Sequence, residues 1–242
     1  VLDACEKILD RLKLSAAEIL GCSPEAVTLK DGQVIVDGTT SSLTWNGLVN
    51  ASYLKRVNLS EHGHYATPGI HFNNAEEKGH PFAYHVYGTA VTVVTVDCIR
   101  GTYEIDAVKL VHDFGTSMNT LIDKGQIEGG LVQGIGWMTM EEIIYDKEGK
   151  LRSNALSTYK VPDIYSVPKK LDIHFLETTN DNLAIFHSKA VGEPPLMYGI
   201  GTYFALRNAI KAFNAHSDIA FSAPITPEKV LMGLYAPKTN KR

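Results

Sequence analysis

The 242-residue chain contains no apolar run approaching the roughly 20 residues that a membrane-spanning helix needs, no internal repeat and no low-complexity tract. A helical membrane span is therefore not expected, and the composition is that of a soluble globular chain. Cysteine is scarce. Cys5, Cys22 and Cys98 are scattered and lack CxxC spacing, which argues against a disulfide framework, a cysteine zinc site or a four-cysteine iron–sulfur cluster. Cationic tracts are missing too: 23 Lys and Arg against 27 Asp and Glu leave a net charge of −4, with no long basic run to hold a nucleic acid or a membrane surface. There is no initiator methionine and no charged-then-apolar leader, because Val1-Leu2-Asp3 already lies inside an amphipathic pattern. The expectation is a globular, cytoplasmic piece of a longer protein.

What is present suffices for one large domain or two small ones. Leu2, Cys5, Ile8, Leu9, Leu12 and Ile19 fall mostly at helical spacing and predict one buried face, with Gly21 as the stop. Residues 26–36 alternate around Asp31-Gly32, a hairpin signal that places Val34 and Val36 on one side of the second strand. Residues 42–55, with Leu43, Trp45, Leu48 and Leu54, predict a helix, and residues 67–81 a long irregular connection. His62 and His64 would alternate on one strand face, which invites a metal reading. Without a third ligand a surface or hydrogen-bonding role is favoured, and no metal ligand is assigned.

The strongest β signal runs over residues 82–96, where Val91-Thr92-Val93-Val94-Thr95-Val96 is almost uniformly β-branched. A turn at Arg100-Gly101 and a return strand over residues 102–111 complete a central hairpin, ending at a polar turn in which Asp113 reads as a turn former. Farther on, Ile127, Leu131, Ile135 and Met138 define one face of a helix that also holds Gly129, Gly130, Gly134 and Gly136. Each glycine costs about 1 kcal/mol relative to alanine in a helix, so a close approach must compensate. Gln126, Gly130 and Gly134 share a stripe; either tight packing or a bulky cofactor beside the Gln126 amide accounts for it. Residues 147–150 form a turn, residues 157–162 and 171–176 predict short strands, and Thr226-Pro227 starts a last helix through Leu234.

Lys189-Ala190-Val191-Gly192-Glu193-Pro194-Pro195-Leu196 is the stretch with most chemistry in it. Pro194 and Pro195 predict a helix start, with Leu196, Ile200, Tyr203, Leu206, Ile210 and Phe213 following at helical spacing. Glu193 would then stand at the positive end of the helix. That is where a purely structural acidic residue is favoured, and also where an ionised general base could be held.

Beyond these local readings, the segment Ser188 to Met197 resembles the region around the active-site glutamate of the molybdenum hydroxylases, the xanthine dehydrogenase and aldehyde oxidase family, and most closely the xanthine dehydrogenase branch. The resemblance runs in family order from Ala4-Cys5 through Tyr87-Gly88, Val96-Asp97-Cys98, Asp113 to Asn119, Gly125-Gln126-Ile127-Glu128-Gly129 and Ser157 to Pro162 to Thr226-Pro227-Glu228-Lys229. It implies an α+β fold with a mixed or antiparallel sheet packed with helices. Residues 1–242 would form the C-terminal portion of the molybdenum cofactor-binding domain. It further implies Glu193 as the base, Gln126, Val191 and Gly192 at the molybdenum–molybdopterin cofactor, and a purine hydroxylated with water-derived oxygen. [2Fe-2S] clusters and FAD would lie on other domains or chains. The rest of the molybdenum subunit and the iron–sulfur and flavin subunits would be partners in an oligomer, and the chain alone would be inactive. Three alternatives stand beside this reading: an aldehyde or other N-heterocycle oxidoreductase of the same family, a non-catalytic interaction module, and a cofactor-free hydrolase pairing Glu193 with Glu128.

Overall fold

The computed structural model describes residues 1–176 and 185–237. It divides into two compact units, Val1–Pro68 and Gly69–Arg242.

In the first unit, helix α1 (Leu2–Leu20) stops at Gly21, whose φ of 66° is left-handed and whose N–H donates to the Ala17 carbonyl. Strands β1 (Val27–Lys30), β2 (Gln33–Val36) and β3 (Thr39–Thr44) form an antiparallel sheet in that order. The expected hairpin turn is present, with positive φ at both Asp31 and Gly32. Asp37-Gly38 repeats the same backbone signature, which makes residues 39–44 a strand where a helix was expected from Ser42. Helix α2 (Trp45–Leu54) begins only after Thr44, whose hydroxyl accepts a hydrogen bond from the Gly47 N–H at 3.1 Å. Leu12, Ala16, Ala17, Val27, Val34 and Leu48 make the core, with Ile8, Leu20 and Val36 packed against it. The buried stripe of α1 thus runs 8, 12, 16, 20. Leu2, Cys5 and Ile19, expected on that face, are exposed, since they fall off the 8, 12, 16, 20 stripe that packs on the sheet. His62 and His64 lie outside any strand, and the His64 N–H donates to the Asp3 carboxylate. Among the described residues no group of three or more His, Cys, Asp or Glu side chains is placed to hold a metal.

In the second unit, a small hairpin of β4 (His71–Asn73) and β5 (Lys78–His80) occupies the stretch expected to be irregular. The main sheet has the order β6-β7-β8, from β6 (Gly88–Val96), β7 (Tyr103–Asp113) and β8 (Lys170–Leu176). The β6–β7 pair is antiparallel and the β7–β8 pair parallel, so the sheet is mixed. The first of these strands starts at Gly88 rather than at residue 82, and residues 157–162 form no strand: the chain turns over residues 156–158, with the Thr158 and Tyr159 N–H groups both donating to the Ala155 carbonyl, and continues irregularly. Helix α3 (Thr120–Thr139) lays Ile127, Leu131 and Ile135, all fully buried, against Ile105, Val108 and Leu110 of the sheet and Phe114 just past its end. This is the face that the spacing predicts. Helices α4 (Ile200–Phe213) and α5 (Pro227–Leu234) close a neighbouring cluster of Tyr203, Leu206, Ile210, Ile225, Val230 and Leu234. Phe213, expected on the buried face, is half exposed at the last residue of α4. The Thr226 hydroxyl caps α5 by accepting from the Lys229 N–H. Thr226→Ala is expected to cost about 1 kcal/mol of stability, read as a lowered midpoint in denaturant unfolding.

Candidate active site

The site grows from the end of β7, where an apolar strand delivers two polar residues into the interior. His112 is fully buried and Asp113 is 1% exposed. One carboxylate oxygen of Asp113 accepts from the Gly115 N–H at 3.1 Å, the turn-forming role its type predicts. The other accepts from the Lys189 ammonium at 2.6 Å, with both side chains almost wholly out of solvent. Lys189 also donates its backbone N–H to the Phe114 carbonyl at 2.6 Å and its ammonium to the His85 carbonyl at 3.0 Å. An isolated bridge between Gly115 and Ser188 continues the pairing. The segment leading to Glu193 is thereby laid along the strand end.

From Lys189 the chain passes Val191, which packs on Leu110, Phe114 and Ile127, and reaches Gly192 and Glu193, both exposed. The prolines do start a helix, as their missing N–H groups predict, but residues Pro194–Gly199 form a 3₁₀ turn that runs directly into α4. Glu193 has φ −89° and ψ −43° and makes no side-chain capping bond. Its carboxylate is left for something other than the helix.

The glycine stripe of α3 is the reason the segment can lie where it does. A Cβ on Gly130 would come within 3.0 Å of the Gly192 carbonyl and 3.1 Å of Pro195, and one on Gly134 would strike the Leu196 carbonyl. A Cβ on Gly199 would in turn strike the Gly134 backbone. Backbone therefore meets backbone, which accounts for Gly130 and Gly134 by packing. Gly136 is explained by the nearby Glu141 and Pro162, whereas Gly125 and Gly129 have open space on their Cβ side. The Gln126 amide oxygen lies 3.4 Å from where a Cβ on Gly192 would be, so Gln126 and Gly192 share one exposed shelf, and the exposed Glu193 follows it in the chain. Glu128 does not join it. Two residues along α3 put it about 200° round the helix from Gln126, where it faces Lys124 at 3.9 Å. A paired-acid hydrolase built on Glu193 and Glu128 is not what this geometry offers.

His112 Nδ1 and the Tyr198 hydroxyl form a 2.7 Å hydrogen bond that ties β7 to the 3₁₀ turn. Burial pushes the His112 pKa below its ordinary 6.5, and the Ala190 backbone and the Asp113 charge oppose this only in part. Burial likewise raises the Tyr198 pKa. Because the folded state disfavours the charged imidazole, stability is complete above pH 6.5 and is lost as pH falls through the lowered folded value. The thermal midpoint is therefore expected to drop more between pH 7 and pH 5 in the wild type than in His112→Gln. Equal slopes would contradict this.

The Asp113–Lys189 and His112–Tyr198 contacts were not evident from spacing. A pair of polar residues closing an otherwise apolar strand is the one local signal that could have drawn attention to them.

The shelf fits a large heteroatom-rich cofactor. It offers an exposed side-chain amide able to donate and accept and a glycine backbone without side chains in the way, with an uncapped carboxylate on the next residue. Comparison with known proteins agrees with this chemistry. The molybdopterin cofactor-binding domain family matches residues 1–168. Xanthine dehydrogenase/oxidase of Felis catus is 39% identical over 194 residues, covering 77% of this chain and 15% of that protein. Xanthine dehydrogenase of Oryza sativa subsp. japonica is 34% identical over 252 residues, covering 100% of this chain and 17% of its own length. Among solved structures, quinoline 2-oxidoreductase of Pseudomonas putida 86 superposes with a TM-score of 0.64 at 26% identity, over 95% of this chain and 28% of that one. The chain belongs to the molybdopterin cofactor-binding domain family of the molybdenum hydroxylases. It spans less than a fifth of the length of these two curated relatives.

Proposed function

We propose that the chain is the C-terminal portion of the molybdenum-binding part of a xanthine dehydrogenase-like hydroxylase, with Glu193 as its general base. The observation that carries this reading is the exposed, uncapped Glu193, the residue after Gly192, whose backbone lies by the Gln126 amide in a segment seated on α3 by glycine packing. Gln126 would hold the pterin through its amide, and the backbone of Val191 and Gly192 would lie against the cofactor. When bound, the molybdenum–pterin group supplies the redox chemistry and accepts the two electrons taken from the substrate. Glu193 takes a proton from the water-derived oxygen as it is added to the substrate carbon, and the open shelf lets that proton leave toward solvent. The remainder of the molybdenum subunit would complete the pocket, with iron–sulfur clusters and FAD on other domains or chains receiving the electrons. A purine such as xanthine is the proposed substrate. The names of relatives 33–40% identical to this chain support it, whereas the quinoline-acting structural relative is 26% identical.

The test is turnover by the complete, molybdenum-loaded enzyme on xanthine, an aldehyde and quinoline in parallel. Preference for xanthine supports the purine reading, and preference for either of the others replaces it within the same family chemistry. Absence of molybdenum from the purified complex would overturn the enzyme reading and leave an interaction module.

A further inference from the structure

Asp113 and Lys189 are 76 positions apart, yet their side chains meet at 2.6 Å with 1% and 2% of their surface exposed. Such a pair is a poor way to gain stability, since desolvating two charges consumes most of what their attraction returns and an apolar pair of similar volume often does as well. Its value lies in geometry. Lys189 is held at both ends: the backbone N–H by the Phe114 carbonyl, the ammonium by Asp113, by the His85 carbonyl and over the Tyr87 ring at 5.8 Å. Asp113 is fixed in turn by β7 and by the Gly115 N–H. Between Lys189 and Glu193 lie only Ala190, Val191 and Gly192, and the Glu193 side chain makes no capping bond of its own.

We infer that the Asp113–Lys189 pair is a positioning device for Glu193, anchoring the upstream end of its segment to the sheet while Gly130 and Gly134 seat the downstream end on α3. Neither residue touches the reacting atoms. Each acts through the place it gives the carboxylate, and a displacement of about 1 Å in such a group is enough to cost up to about 10²-fold in rate. The inference rests on the reading of Glu193 as the base.

The experiment uses the complete enzyme, with rates normalised to molybdenum content, and compares Lys189→Met, Asp113→Asn and the double variant with wild type and Glu193→Gln. Either single change strands a buried charge, so the double variant carries the test: it leaves no unpaired charge, and the amide oxygen introduced by Asp113→Asn can still accept from the Gly115 N–H. Positioning predicts that the double variant recovers the thermal midpoint lost by the singles. It predicts kcat still reduced by about 10- to 10²-fold, KM nearly unchanged, and faster hydrogen exchange at the amides of residues 190–193. Recovery of stability, turnover and exchange protection together would overturn it, because neutral packing would then do the same work. Should no variant fold, the wild-type enzyme decides: protected amides at residues 190–193 support the anchor, and exchange as fast as in an unstructured peptide refutes it. Near-normal turnover in Glu193→Gln would instead sink the base assignment, leaving hydrogen exchange to judge the anchor alone.

Discussion

Glu193→Gln in the complete, molybdenum-loaded enzyme is expected to lower kcat by about 10²- to 10⁴-fold while leaving KM close to the wild-type value. The change preserves the shape of the side chain and one acceptor oxygen, so contacts that merely hold the substrate persist. It removes the site that takes the proton, and that loss falls on the step and not on binding. The structure makes the prediction discriminating. Glu193 is exposed and forms no capping hydrogen bond, so the substitution should shift stability by no more than about 0.5 kcal/mol, as for other surface positions. A large rate loss cannot then be attributed to unfolding. The rate must be measured as the reductive half-reaction in a preparation whose molybdenum content is known. A near-normal rate at full occupancy would show that Glu193 is a helix-start residue and nothing more.

Gly134→Leu is expected to have the largest effect among changes away from the carboxylate. By helix propensity alone the replacement should stabilise α3 by close to ~1 kcal/mol, because glycine is the poorer helix former. The geometry reverses the sign. Even the first carbon of a side chain would strike the Leu196 carbonyl, a backbone atom with no rotamer to give way. Overpacking of this kind typically costs about 1–3 kcal/mol, with more expected where neither backbone can move. Gly134→Ala should also destabilise, which separates steric exclusion from a propensity effect. Any relaxation that did occur would push the 194–199 turn away from α3 and carry Glu193 with it. Cofactor loading or turnover should therefore fall along with the unfolding midpoint. A Gly134→Leu enzyme with unchanged stability and molybdenum content would show the stripe to be incidental.

The parts of this fold that were legible in the sequence are those governed by short-range rules. The face of α3 follows from Ile127, Leu131 and Ile135 at helical spacing, the first hairpin from Asp31-Gly32, and the helix start at Pro194 from two missing N–H groups. The stripe of Gln126, Gly130 and Gly134 was visible as well, though periodicity could not say what lay against it. It proved to be the backbone of residues 192–199, which brings Gln126 to Gly192. Errors came where one local signal overrode another. Asp37-Gly38 is as strong a turn as Asp31-Gly32, yet the apolar residues after Ser42 drew the helix boundary too early and hid β3. Residues 157–162 carry aromatic and β-branched side chains but pair with no neighbouring strand, and the chain turns at 156–158 and runs on irregularly. The Asp113–Lys189 contact lay beyond any such rule. Sequence shows Lys189 as a cation near a candidate carboxylate, but only the parallel return of β8 and the bridge at Gly115 and Ser188 bring it onto the end of β7.

The most direct test is a structure of the complete subunit purified with its cofactor. The pterin is expected against the Gln126 amide and the Val191–Gly192 backbone. The Glu193 carboxylate should face the molybdenum, within about 2.6–3.2 Å, or one water, of the proton it is to accept. A cofactor seated elsewhere, or a Glu193 carboxylate turned away with no water between, would contradict its role as the base.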